Sequence, residues 1–258
     1  MAKPRRMAKN KLQRYAEIQS LPNVFEHTEL IKCSWRPGYF PSPAPVILEL
    51  ACGKGDYTLA LARNSKQIID KPFNYIGVDV KGSRIWKGAK QAISENLTNV
   101  AFIRTYIQFL PEIFPAGSIS EIWITFPDPY LSTKKSNKRL TSPFFLGVYS
   151  KILAPGGKVH LKTDSNPLFN FTIKTLESEN CKIHRLIPDV HGDPDAGELL
   201  RIQTYYEKKH LANRLKIKYV CFSLPNPFGR DVRTPVFHQN SEGPPDAPSE
   251  RGSREQLK

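Results

Sequence analysis

Val46-Ile47-Leu48-Glu49-Leu50-Ala51-Cys52-Gly53-Lys54-Gly55 decides the fold. From Val46 to Leu50 branched and leucine side chains run almost unbroken, with Glu49 the single charge among them, which reads as a strand buried on both faces in a helix-covered parallel sheet. Two glycines one residue apart then let the backbone turn sharply and a ligand come close. Tyr57–Ser65 follows as an amphipathic helix. Strand, glycine turn and helix form the opening unit of an α/β domain.

The same alternation continues outward. Asn74–Val80 reads as a second strand, followed by a helix from about Ser83 to Glu95 and a third strand at Val100–Arg104. Ile119–Phe126 is a fourth strand, stopped by Pro127, and Ser142–Leu153 is helical. Pro155-Gly156-Gly157 turns the chain into a fifth strand, Lys158–Thr163, before a helix at Asn166–Ser178. Strands near Lys182–Ile187 and Tyr219–Ser223 close the domain, with Ile202–Lys208 extended or helical. The expected architecture is therefore α/β, a doubly wound, mostly parallel seven-stranded sheet over residues 45–225. Residues 1–44 read as a basic, proline-rich extension, and residues 226–258, polar and rich in Pro, Gly and Ser, as a disordered tail.

At 258 residues the chain suits one such domain. Its formal charge of +14 would attract phosphate polymers or acidic membranes, although the same excess can serve solubility alone. Cysteines 33, 52, 181 and 221 form no C-x-x-C pair and have no histidine at metal-binding spacing, so neither a zinc site nor a disulfide framework is expected. The basic start lacks the apolar run of a secretory signal, and no stretch approaches the roughly 20 apolar residues of a membrane span. A cytoplasmic protein without metal is the expectation.

Ligands of open α/β sheets bind at the carboxyl ends of the strands, near the point where strand order reverses. Gly53 and Gly55 lie at the first such end, and a lone G-x-G can be no more than a tight turn. Asp79 ends the second strand about two dozen residues later, where an acid can accept both ribose hydroxyls of an adenosine cofactor. A dinucleotide dehydrogenase would use the same acid, so the glycine pattern has to discriminate. G-x-G-x-x-G begun at Gly53 meets Thr58, and begun at position 51 it meets Ala51 and Asp56. The pyrophosphate fingerprint fails in both registers. S-adenosylmethionine, which has no pyrophosphate, is the expected cofactor, and its cationic sulfonium would favour a nearby carboxylate such as Glu49.

The fourth strand runs into Thr125-Phe126-Pro127-Asp128-Pro129-Tyr130, where two prolines restrict the loop that carries Asp128. Lys134-Lys135-Ser136-Asn137-Lys138-Arg139 follows, with four positive charges in six residues. Such runs are often solvated surface; beside a candidate site this one reads as a phosphate-binding loop, with Lys135, Lys138 and Arg139 on an RNA backbone.

Glu49 with Cys52-Gly53-Lys54-Gly55, then Gly77-Val78-Asp79, Phe126-Pro127-Asp128-Pro129, Lys138-Arg139-Leu140, Lys162-Thr163-Asp164 and Thr204-Tyr205-Tyr206-Glu207 occur in an order that resembles the bacterial TrmB-type tRNA (guanine-N7-)-methyltransferases. The similarity covers roughly residues 45 to 225; its F-P-D-P block is specific, whereas the glycine loop is common to many methyltransferases. The resemblance implies a class I methyltransferase fold and methylation of N7 on a guanine in the tRNA variable loop. It implies cofactor contacts from Glu49, Gly53, Gly55, Asp79, Tyr106 and Asp128, with Asp128 also at the reaction centre, and substrate contacts from Lys134, Asp164, Thr204 and Glu207. Ala51 stands where the family usually has glycine, Asp79 where many members have glutamate, and Tyr106 where an acid or asparagine is usual. Ser132-Thr133 displaces the family's lysines, which leaves Lys134 as their substitute. Two other functions share many of these features: methylation of another RNA or a small molecule, and RNA binding without catalysis.

Overall fold

The computed structural model describes residues 13–27, 38–68 and 73–225. Eight strands among them form one sheet: β1 (Val24–Glu26), β2 (Val46–Leu50), β3 (Asn74–Asp79), β4 (Val100–Arg104), β5 (Ile119–Thr125), β6 (Leu153–Thr163), β7 (Lys182–Ile187) and β8 (Lys218–Ser223). They lie in the order β1-β4-β3-β2-β5-β6-β8-β7. Pairs from β1 to β6 are parallel, and β8 runs antiparallel to both β6 and β7. The chain leaves β2 toward β3 and β4, then returns to place β5 on the other side of β2. That reversal opens a crevice beyond the carboxyl ends of β2 and β5.

The expected seven strands become eight because β1 joins the sheet from within residues 1–44. It is three residues long, too short for a periodic signal. Glu26 accepts from the Arg104 guanidinium at 3.0 and 3.2 Å, tying this edge to β4. A helix over residues 13–18 also docks on the domain: Ile18 is buried, and the Trp86 indole donates to Glu17 at 2.7 Å. Most of the expected basic arm, residues 1–12, and the expected tail, residues 226–258, lie outside the described residues.

Alternation along the buried strands feeds two apolar layers. Leu48, Leu50, Ile76, Val78, Ile122 and Ile124 face one way, toward Pro143–Ser150 and Asn166–Ser178. Ile47, Tyr75, Phe102 and Trp123 face the other, toward helix α1 (Asp56–Ile68) and helix α2 (Gly82–Ser94). Helix α1 starts with Asp56 in its first turn, where a carboxylate suits the positive end of the helix dipole. Strand β6 begins at Leu153, ahead of the expected Lys158, because the β5–β6 register shifts between Ile119 and Glu121; Gly156, at φ 75°, sits in this irregular entry.

The loop after β2 is built around Phe102. Added Cβ atoms at Gly55 and Gly77 would lie 2.5 and 2.7 Å from its ring, and one at Gly88 would lie 2.3 Å from the Lys54 carbonyl oxygen. Loop, β3 and α2 can therefore close over that ring only with glycine at these places. Ala51 enters the same loop with φ 54°, a left-handed conformation that Cβ disfavours. Ala51→Gly is expected to stabilise the fold by up to about 1 kcal/mol, the relief exceeding glycine's added unfolded-state entropy. The urea midpoint measures this; an unchanged or lower midpoint would show that the loop absorbs the methyl without strain.

Candidate active site

A cavity of about 1100 Å³ occupies the crevice at the switch point. Glu49, Gly53 and Asp79 line one part of it, and Asp128, Lys138, Asp164 and Thr204 another. Residues 155 positions apart in the chain, Glu49 and Thr204, thus meet at one site.

Asp79 organises the glycine loop. One carboxylate oxygen accepts the Gly53 N–H at 2.9 Å and the other the Lys81 N–H at 2.8 Å. Each oxygen keeps further acceptor capacity. Gly53 adopts φ 60°, and nothing lies within 4 Å of where its Cβ would be, so the loop leaves room for a ligand above it. Val80, Ile107 and Phe109 add an apolar wall. Tyr106 lines the same wall at the end of β4, 59% exposed. Open backbone, an acceptor pair and an apolar slot fit the adenosine half of S-adenosylmethionine.

Glu49 is buried at the centre. One oxygen takes the Thr58 N–H at 2.8 Å together with the Thr58 hydroxyl, and the other takes the Thr125 hydroxyl at 2.7 Å. The side chain therefore clasps β2, the first turn of α1 and the end of β5. Burial pushes its carboxyl up to about 7, against the pull of these hydrogen bonds. A raised acid favours folding below its unfolded value and loses that contribution as pH climbs through the folded one. Stability should thus fall between about pH 4.5 and 7 by at most about 3 kcal/mol from this group. Glu49→Gln should flatten that part of a denaturation-versus-pH profile; an unaltered slope would place the titration elsewhere.

The Pro127-Asp128-Pro129 loop is held from both sides. Phe126 and Tyr130 flank it at φ 50° and 40°, left-handed conformations uncommon for bulky residues. The Phe126 N–H donates to the Lys162 carbonyl at 2.9 Å. Arg139 corrects its expected role on an RNA backbone. It is 6% exposed, donates to the carbonyls of Pro129 at 3.1 Å and Tyr130 at 2.9 Å, and lies 4.3 Å from the Phe171 ring centre. Its guanidinium is a brace for the loop. Asp128 itself is exposed and has no hydrogen bond or ion pair among the described residues.

Other expected residues divide. Lys134 and Lys135 are exposed on the short helical turn Thr133–Lys138, outside the cavity lining, whereas Lys138 stands at its mouth. Thr204 is buried against the cavity and caps helix α3 (Tyr205–Ala212), accepting the Glu207 N–H at 3.2 Å. This is half of a capping box. The other half is missing because the Glu207 side chain turns inward, which corrects its expected contact with substrate. Glu207 is fully buried, 2.8 Å from both Lys162 Nζ and His191 Nε2. Asp164 faces the cavity and pairs at 3.4 Å with His210, which also stacks on Phe126 with ring centres 5.7 Å apart. His210 was absent from the sequence candidates; its signal is the spacing i, i+3 from Glu207 on the helix that Thr204 begins. Among the described residues no group of three or more His, Cys, Asp or Glu could hold a metal, and no helix is long and apolar enough to cross a membrane.

Sheet order, glycine loop and the acid ending β3 define the class I S-adenosylmethionine-dependent methyltransferase architecture. The family model described as "Putative methyltransferase" matches residues 43–220. A tRNA (guanine-N(7)-)-methyltransferase of Bacteroides thetaiotaomicron is 41% identical over 227 residues, covering 85% of this chain and 87% of that one. Another, of Christiangramia forsetii, is 41% identical over 226 residues, covering 84% and 99%. A solved 30S ribosomal A1408 methyltransferase from an uncultured bacterium superposes with a TM-score of 0.49 at 16% identity, covering 77% of this chain and 92% of that one. The chain belongs to the tRNA (guanine-N(7)-)-methyltransferase family.

Proposed function

We propose that this protein transfers the methyl group of S-adenosylmethionine to N7 of a guanine in the variable loop of tRNA, in the cytoplasm. The observation that carries the reading is the single cavity into which the Asp79–Gly53 clasp and the Asp128 and Asp164 carboxylates open. The two relatives' names supply the nucleobase.

The cofactor contributes an electrophilic methyl on a cationic sulfur. Guanine N7 carries a free lone pair at neutral pH, so the chain need supply no general base. Its task is to orient the base and stabilise the positive charge that grows on it, both large contributions in an enclosed site. Asp79 and Gly53 hold the nucleoside end, Tyr106 adds to its apolar wall, and Glu49 fixes the floor between them. Asp128 and Asp164 accept from the N1–H and N2–H edge of guanine, which leaves N7 free. Thr204 caps the helix that carries His210 and thereby sets the position of Asp164's partner.

Lys138 at the mouth and Lys135 beside it meet backbone phosphate. Lys135→Ala and Lys138→Ala should each flatten the plot of log affinity against log salt by roughly 0.7 to 0.9. Arg139→Ala should instead lower the unfolding midpoint, since its partners are carbonyls of its own chain. The reverse pattern would return Arg139 to the RNA.

The deciding experiment incubates the protein with labelled S-adenosylmethionine and bulk tRNA, then digests the RNA to nucleosides. Label in 7-methylguanosine is expected; label in any other nucleoside overturns the assignment.

A further inference from the structure

Helix α3 raises two neighbouring aromatic rings at the cavity mouth that cofactor binding and methyl transfer leave unused. Tyr205 is 58% exposed and Tyr206 47%, their ring centres 5.5 Å apart at 79°. Most large apolar side chains of the domain are buried, so two exposed rings in succession beside a polar site are conspicuous. The helix that carries them is anchored. The Tyr205 N–H donates to Asp56 at 3.1 Å, Thr204 caps the helix beneath them, and Glu207 anchors its underside to Lys162. Lys54, from the glycine loop, places its ammonium 4.5 Å from the Tyr205 ring centre and has no carboxylate partner among the described residues. Lys208 and Lys209 are exposed one helical step further on.

Exposed rings on an anchored helix beside unpaired ammonium groups match one ligand chemistry, a nucleotide with its base unstacked: the ring takes the base face and the cation the phosphate. We infer that Tyr205, Tyr206 and Lys54 form a second nucleotide subsite, which takes the base next to the target guanine. This rests on the RNA reading of the site above. The target must reach Asp128 and Asp164 in the same cavity lining, where His210, Asp164's partner, stacks on Phe126. Extruding it strips its neighbour of a stacking partner, and a protein ring can replace that partner with little regard to base identity.

The test uses the full-length protein and tRNA carrying 2-aminopurine beside the target guanine. Substituting both tyrosines with leucine (Tyr205→Leu with Tyr206→Leu) should raise KM for tRNA roughly 5- to 100-fold, with the loss confined to KM, and should abolish the fluorescence change on binding. Substituting both with phenylalanine should keep both signals near wild type, because the stacking faces remain. Affinity for S-adenosylhomocysteine, measured by calorimetry, should be the same in all three proteins and certifies the fold. Leucine variants that bind and report like wild type would overturn the subsite, as would phenylalanine variants that lose as much as leucine ones. A wild-type protein that makes no 7-methylguanosine overturns the functional proposal by itself. The fluorescence arm needs no turnover, so it still decides whether these tyrosines stack a base.

Discussion

Asp128→Ala is expected to slow methyl transfer to tRNA about 100- to 1,000-fold, the range for removing one preorganised group at a site of developing charge. The unfolding midpoint should stay within about 1 °C of wild type, an exposed side chain without partners having little to contribute to stability. The separation of the two effects follows from how the loop is built. Its shape is set by Pro127 and Pro129, by left-handed backbone at Phe126 and Tyr130, and by the Arg139 guanidinium on two carbonyls. Asp128 is what that scaffold presents, and it takes no part in holding it. Asp128→Asn keeps an acceptor of the same size and removes the charge, so it should fall between wild type and alanine. Single-turnover rates with saturating tRNA, beside thermal unfolding, make the comparison. An alanine variant with wild-type chemistry would remove Asp128 from the mechanism, and one that unfolds early would make it part of the scaffold.

Much of this arrangement was legible in the residue order, for identifiable reasons. Strands β4 and β7 and the helix Asn166–Ser178 have their expected ends, each marked on one side by a turn-forming residue: Asn99 before β4, Pro188-Asp189 after β7 and Asn180 beyond the helix. Glu49, Asp79, Asp128 and Asp164 meet because parallel strands deliver all their carboxyl ends to one edge. What could not be read was the partner of a charge. Arg139 closes a basic run and looked like its neighbours, yet its acceptors are carbonyls nine and ten residues back that only the folded loop presents. Glu207 lies on a helix that opens with exposed tyrosines, and its cation is 45 residues away in strand β6. Composition records that a charge exists; burial and pairing belong to the tertiary structure. Strand β1 was missed for a different reason, since three residues carry no period and its place at the edge depends on β4 being there to receive it.

The Lys162–Glu207 pair gives the largest expected effect on stability. Both side chains are fully buried, with Nζ 2.8 Å from the carboxylate and 2.8 Å from the Ile202 carbonyl. Burial draws the Lys162 ammonium below its ordinary value while the Glu207 carboxylate pushes it back, so the charged form depends on its partner. Lys162→Met strands a carboxylate in the interior with His191 alone beside it, and Glu207→Leu strands the ammonium. Each single change should cost about 3 to 5 kcal/mol, a large fraction of the stability of an ordinary domain. Making both changes removes two desolvation costs together with the attraction, so the double variant should recover most of that loss. It should not recover catalysis, because Glu207 ties the underside of α3 to β6 and thereby places Thr204 and His210 at the cavity. Urea denaturation of the four proteins gives the coupling directly, and tRNA methylation reports the geometry. Single variants that lose less than about 1 kcal/mol would mean that water reaches the pair. A double variant with full activity would mean that the helix finds its place without this anchor.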